Sequence, residues 1–179
     1  MSALRPLQLK LTAKPNTRVE IDPSDLVADA IAFYKGPTFD PDRPVRVTFV
    51  SQPALDSGGV RRQFYNDLFF QLVTENQFKL FQGTNNRVLF HYDQTAIGCG
   101  LFKTLGQMIA HSICQGCAGF PYLAPAMYYY LTSGDINQAA AYASTVDISN
   151  KEELSYVEKV KAILFSVWKS YYTIYVLAA

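Results

Sequence analysis

The residues best suited to chemistry are few: three cysteines, two histidines, and a paired-glycine turn followed by two arginines. His111-x-x-Cys114-x-x-Cys117 sets three metal-binding side chains at steps of three, near one face of a helix. A structural zinc takes four ligands. Cys99 stands fifteen residues before Cys114, about 22 Å along a helix, too far to be the fourth. His91 is the remaining donor, and nothing in the spacing brings it in. No metal and no cofactor are expected. Cys114-x-x-Cys117 also resembles a redox pair in spacing, but it ends a helix, away from the amides that lower a thiol pKa. The three cysteines read as reduced thiols.

Gly58-Gly59 ahead of Arg61 and Arg62 is a place where backbone amides and guanidinium groups can hold an anion. The Gly-Lys-Ser/Thr ending of a phosphate-binding loop is missing, so an intramolecular carboxylate is the expected occupant. Asp56 is the nearest one, able to bind free amides of the turn and to pair with Arg61 or Arg62. The glycine pair permits positive φ, and a β-branched residue at Gly59 would be strained if Gly59 takes it. No nucleophile elbow is present for a Ser-His-Asp hydrolase. Gly98, Gly100 and Gly106 follow no strand and form no dinucleotide fingerprint. Asp56, Gly58, Gly59, Arg61 and Arg62 are therefore candidate motif residues with a structural role, and no catalytic residue is expected.

The elements that must position these residues follow from periodicity. Residues 1–20 read as a loose arm containing Pro6, Pro15 and Asn16. Asp22-Pro23-Ser24-Asp25 reads as a helix start, with Asp22 as cap and Pro23 at the first helical position. Leu26, Ala30 and Phe33 continue that helix to Gly36-Pro37. Val45 to Val50 alternates apolar and polar residues and predicts a strand. From Val60 a helix carries Phe64, Leu68 and Leu72 at steps of four, with Tyr65 and Phe69 beside them. Phe78 to Phe81 is a short apolar piece, Gly83 to Asn86 a turn, and Val88 to Tyr92 a second strand. One long helix is expected from Gln94 to Gln115, with Ile97, Leu101, Leu105, Met108, Ile109 and Ser112 on one face. Gly116 and Gly119 end it. A link from Pro121 to Pro125 leads to a short helix from Ala126 to Leu131, closed by Gly134. A capping box at Ser149–Glu153 opens a last helix, striped by Leu154, Val157, Val160, Leu164, Val167, Tyr171 and Ile174. The fold class is α+β, mostly α-helical with a small sheet.

Bulk composition bounds the function. The 179 residues suit one domain and bury a core without disulfides or metals. Apolar residues make up 49% and charged ones only 17%, so either the core is large or some surface expects a partner. A net charge of +1 gives no pull towards nucleic acid or anionic membrane. No signal core opens the chain. Ala162 to Ala179 is apolar, but Lys169 interrupts it, so it reads as a buried or interface helix and not as a membrane span. Past Lys169 it is apolar all round, so one stripe cannot bury it. A second copy of the chain or a partner protein is expected to cover the rest.

Two blocks resemble a known family. Val47-Thr48-Phe49-Val50, then Asp56-Ser57-Gly58-Gly59-Val60-Arg61-Arg62-Gln63-Phe64, is similar to the N-lobe pattern of HECT-type ubiquitin ligases: a strand, a D-x-G-G turn and a helix opening with Arg, an acid and an aromatic. Gly106-Gln107-Met108-Ile109-Ala110-His111-Ser112-Ile113, then Gly116, Gly119-Phe120-Pro121, Leu123-Ala124-Pro125-Ala126 and Tyr130-Leu131, resembles the next stretch, in the divergent branch of the cell-cycle-associated PHD-finger HECT ligases. The resemblance covers residues 45–134 and extends weakly back to Ile21. Gln63 stands where the family usually has an acid, and Cys117 where it has a glycine.

That resemblance implies a residue 21–179 subdomain of a HECT-like N-lobe behind the arm. It also implies a ligase that scaffolds ubiquitin transfer from a conjugating enzyme to substrate lysines, and the three reduced thiols point to the cytoplasm or nucleus. The family's C-lobe cysteine follows a Thr and precedes an Asn and a Leu-Pro stretch. None of Cys99, Cys114 and Cys117 is flanked that way, so the C-lobe is expected to be absent and the chain inactive alone. Conjugating enzyme and ubiquitin would be partners only within a full-length ligase, and a homodimer through the C-terminal helix is a further expectation. The alternative is a non-catalytic protein-interaction module on a degenerate HECT fold.

Overall fold

Strand β1 (Thr17–Ile21) pairs in parallel with β2 (Val45–Phe49), Thr17 opposite Val45 and Ile21 opposite Phe49. Parallel neighbours cannot be joined by a tight hairpin, so the chain must cross over, and α1 (Leu26–Lys35) is that crossover. In the computed structural model, the described residues are 11, 13–50, 58–75, 77–84, 86–144, 147, 152 and 155. The expected arm at 1–20 therefore ends in a strand. Thr17-Arg18-Val19-Glu20-Ile21 does alternate, but its hydrogen-bonding partner lies a whole helix further along the chain.

The first helix begins later than its sequence suggests. Asp22 does not cap it. Its carboxylate accepts from the Ser24 N–H at 2.9 Å and the Ser24 hydroxyl at 2.7 Å, closing a local turn. Such short-range bonds compete with helix formation, and α1 starts only at Leu26. Gly36 ends it as expected, its N–H donating to the Phe33 carbonyl at 3.1 Å. The helix buries Leu26, Val27, Ala30 and Tyr34.

Helix α2 (Gly59–Thr74) follows the predicted stripe, burying Phe64, Tyr65, Leu68, Phe69, Leu72 and Val73. A hairpin comes next: β3 (Phe81–Thr84) runs antiparallel to β4 (Arg87–Phe90). Gly83 in β3 has φ +117°, and a Cβ there would stand 2.5 Å from the Arg87 carbonyl oxygen, so the hairpin admits only glycine. The short apolar piece at Phe78 to Phe81 thus leads into a strand.

The expected single helix from Gln94 to Gln115 is two helices, α3 (Gln94–Gly98) and α4 (Leu101–Cys114). Gly100, at φ +70°, breaks the run in the left-handed region. Cys99 consequently sits exposed in the break, and Ile97, expected on the buried face, is 50% exposed. Leu105, Met108 and Ser112 do face the core. The hydrophobic core joins Ile21, Val45 and Val47 of the sheet to Phe64, Leu68 and Phe69 of α2 and to Leu105 and Met108 of α4.

The chain divides into two compact units, Met1–Leu123 and Ala124–Ala179. In the second, α5 (Pro125–Ser133) ends at left-handed Gly134, as its sequence predicts. Helix α6 (Ile136–Ala140) is an addition, capped by Asp135, whose carboxylate accepts the Asn137 N–H at 2.8 Å. Tyr129 stacks on Tyr142 with ring centroids 3.7 Å apart. The predicted last helix, including Tyr171 to Leu177 and its expected dimer surface, lies outside the described residues apart from Glu152 and Ser155. The architecture is α+β, mostly helical, with two small sheets among the described residues. No helix among the described residues is long and apolar enough to cross a membrane.

Candidate functional site, a buried tyrosine–histidine relay

Four polar side chains meet inside the first unit. Tyr34 comes from the last turn of α1, Tyr65 from the second turn of α2, His111 from the last turn of α4, and Gln115 from the residue that caps α4. Tyr34, Tyr65 and His111 are buried on the inner faces of their helices and Gln115 is half-buried just past α4, so their polar atoms need partners inside the protein.

The partners form a chain whose direction is fixed by its ends. The Arg43 carbonyl can only accept, so His111 Nε2, at 2.9 Å, carries a hydrogen. In a neutral imidazole Nδ1 is then an acceptor, and the Tyr34 hydroxyl donates to it at 3.0 Å. With its hydrogen committed, the Tyr34 oxygen accepts from the Tyr65 hydroxyl at 2.8 Å. The Tyr65 oxygen accepts in turn from Gln115 Nε2 at 2.8 Å. Finally Gln115 Oε1 accepts the Val45 N–H at 2.8 Å. Both ends of the relay reach the head of β2, on either side of Pro44. The Pro44 carbonyl itself accepts from the Thr17 N–H at 2.8 Å. Three helices are thereby tied to the point where the parallel sheet begins.

Electrostatics agree with that proton order. Burial lowers the His111 pKa, with the Arg61 charge adding to the fall while the Arg43 hydrogen bond and the Asp40 charge oppose it. Burial likewise raises Tyr34 and Tyr65, keeping both hydroxyls protonated. A protonated His111 would need an acceptor at Nδ1. The Tyr34 hydroxyl would have to reverse, and the reversal would propagate until the Tyr65 hydroxyl and the Gln115 amide each pointed a hydrogen at the other. Phe39 walls one side, its ring 4.6 Å from Tyr34 and 5.5 Å from His111.

The candidate motif residues lie beside this relay, not in it. Gly58 takes the left-handed conformation, at φ +92°, as the residue before α2. Gly59 is the first residue of α2 and does not have positive φ, so backbone strain belongs to Gly58. A Cβ at Gly59 would meet nothing within 4 Å. Arg62 is exposed. Arg61 is half-buried, and its Nε has no hydrogen-bond partner among the described residues. Asp56, the expected carboxylate partner, lies outside the described residues.

The histidine–cysteine spacing does not make a metal centre here. Both ring nitrogens of His111 are engaged, and no group of three metal-binding side chains occurs among the described residues. Ser112, next to His111, donates its hydroxyl to the Ala118 carbonyl and secures the turn after α4. Sequence reasoning missed Tyr34, Tyr65 and Gln115 as a polar set. The available signal was Tyr65 beside the predicted Phe64-Leu68-Leu72 stripe and Tyr34 one helical turn after Ala30, because a buried hydroxyl demands a partner.

No protein-family model matches the chain, and no curated protein matches it. Chemically, the relay saturates its own donors and acceptors, and so it braces the fold without presenting a base or nucleophile to a substrate.

Proposed function

We infer that this chain is an N-lobe portion of a HECT-like ubiquitin ligase, acting as a scaffold for transfer of ubiquitin from a conjugating enzyme to substrate lysines. One observation supports the reading most. His111, from the Ile-Ala-His-Ser block, and Tyr65, the residue after the Gly58-to-Phe64 block, belong to a single buried relay. The first block and the helical part of the second, which resemble one family in the family's order, thus meet in the core of the first unit. A scaffold needs such stiffness, because positioning two large partners fails if the helices that carry them shift.

The second reading is a non-catalytic interaction module. It is favoured by the saturation of His111 and by the three cysteines, which are exposed or half-buried and lack the flanking residues of a thioester-forming site. Reading the transcript past the Ala179 codon separates the two. An in-frame Thr-Cys followed by Asn and a Leu-Pro stretch is the expected result. A stop codon directly after Ala179 overturns the ligase reading and leaves the module. On either reading, incubation of this chain with activating enzyme, conjugating enzymes and ubiquitin gives no DTT-sensitive ubiquitin band on a non-reducing gel.

A further inference from the structure

Helix α2 presents a second polar set on its other side. Gln63, Asp67 and Gln71 recur at steps of four and so form one ridge, with about 6 Å of helical rise between neighbours. The ridge is one wall of a cleft of about 170 Å³, whose remaining lining is Pro23, Leu26 and Phe49. Among the described residues, no ion pair or side-chain hydrogen bond engages Gln63, Asp67 or Gln71. Pro23 and the edges of the buried Leu26 and Phe49 thus face a carboxylate flanked by two carboxamides, which no other described side chain engages.

Size and charge narrow the occupant. Pockets for drug-sized ligands run to about 300–1,000 Å³, whereas a cavity of about 150 Å³ takes a benzene-sized group. The cleft therefore accommodates one side chain, not a cofactor. A single carboxylate with two amides is too poor an oxygen set for calcium, which takes about six to eight oxygens. What complements it is a cation with a long apolar stem and several donors. Arginine fits best. Its methylenes can lie on exposed Pro23 at the rim, its guanidinium can grip Asp67 with two parallel N–H groups, and its remaining donors can reach the amide oxygens on either side. A lysine ammonium is a compact point charge that cannot span the ridge in this way.

We propose that this cleft is a recognition pocket for an arginine side chain on a segment of a partner protein. The site is independent of the ligase reading, since it uses neither the relay nor any cysteine.

The test titrates the capped tripeptide Ac-Ala-Arg-Ala-NH2 into the ¹⁵N-labelled full chain and follows amide shifts. Saturable shifts are expected at Leu26, Gln63, Asp67 and Gln71. Replacing the arginine by citrulline, which keeps the shape and removes the charge, is expected to weaken binding about tenfold, and Asp67→Asn to do the same. Shifts that never saturate, or that fall elsewhere, overturn the proposal. So does equal binding of the citrulline or lysine peptide. The citrulline arm keeps the test decisive should Asp67→Asn perturb the fold.

Discussion

The inner and outer faces of α2 are both polar in places, yet they treat polarity in opposite ways. Inside, Tyr65 passes one hydrogen bond forward and accepts another, and nothing is left over. Outside, Gln63, Asp67 and Gln71 line a cleft and engage no other side chain among the described residues. A buried polar group without a partner costs about 1–3 kcal/mol, while a solvated one costs almost nothing. Every gap in the inner set therefore costs the fold stability. The outer set is free to wait for something else. One helix thus separates what holds the molecule together from what it offers to a partner.

The largest expected effect comes from breaking the inner set at its centre. His111→Ala removes a buried ring and leaves the Tyr34 hydroxyl without an acceptor and the Arg43 carbonyl without a donor. Cavity and orphaned groups together should cost about 3–4 kcal/mol, read as a lower midpoint in denaturant. Tyr65→Phe is gentler, since the ring stays. It strands the Gln115 amide hydrogen and removes the donor to Tyr34, and a loss of about 1–2 kcal/mol is expected in the same assay. Equal midpoints for Tyr65→Phe and the unaltered chain would mean that water serves those groups as well as Tyr65 does.

Much of the frame around the relay was legible in the sequence. The Phe64-Leu68-Leu72 stripe announces α2, the alternation from Val45 announces β2, and the helix stops at left-handed Gly116 and Gly134 and at extended Gly36 lie where the sequence puts them. The relay itself was not legible. Tyr34 meets Tyr65 across 31 residues and His111 across 77, and no local pattern encodes a meeting at such distance. β1 escaped for a related reason, because its partner strand is supplied by a crossover. The break at Gly100 escaped because the apolar period runs on through Gly98-Cys99-Gly100 and gives no sign that one residue turns left-handed. Asp22 was misjudged through its own versatility: the same carboxylate that can cap a helix can also close a turn on Ser24.

The inner set should also leave a mark on the pH dependence of stability. In the folded chain the His111 pKa is lowered, chiefly by burial. The unfolded chain has an ordinary imidazole, titrating near 6.5. Above that pH neither state holds the proton, and the stabilisation is fully present. As pH falls below about 6.5 the unfolded state takes up a proton that the folded state resists, so stability declines until the folded pKa is reached. One proton limits the slope to about 1.4 kcal/mol per pH unit. Denaturant midpoints between pH 8 and pH 5 should show this fall, and His111→Gln should flatten it. An unchanged slope in His111→Gln would assign the fall to other groups.

The smallest effect is expected at the outer set, and that is what makes it informative. Asp67→Asn keeps the size and shape of the side chain and removes only its charge. In the free protein that charge forms no ion pair and no side-chain hydrogen bond among the described residues. The substitution also sits mid-helix, away from both ends of α2, where the helix dipole falls off. Surface changes remote from such features usually stay within about 0.5 kcal/mol. The denaturant midpoint of Asp67→Asn should therefore match that of the unaltered chain, while Tyr65→Phe, two residues earlier on the same helix, lowers it. A loss at Asp67 as large as that at Tyr65 would show that the outer ridge also serves the fold, and the division between the two faces of α2 would fail.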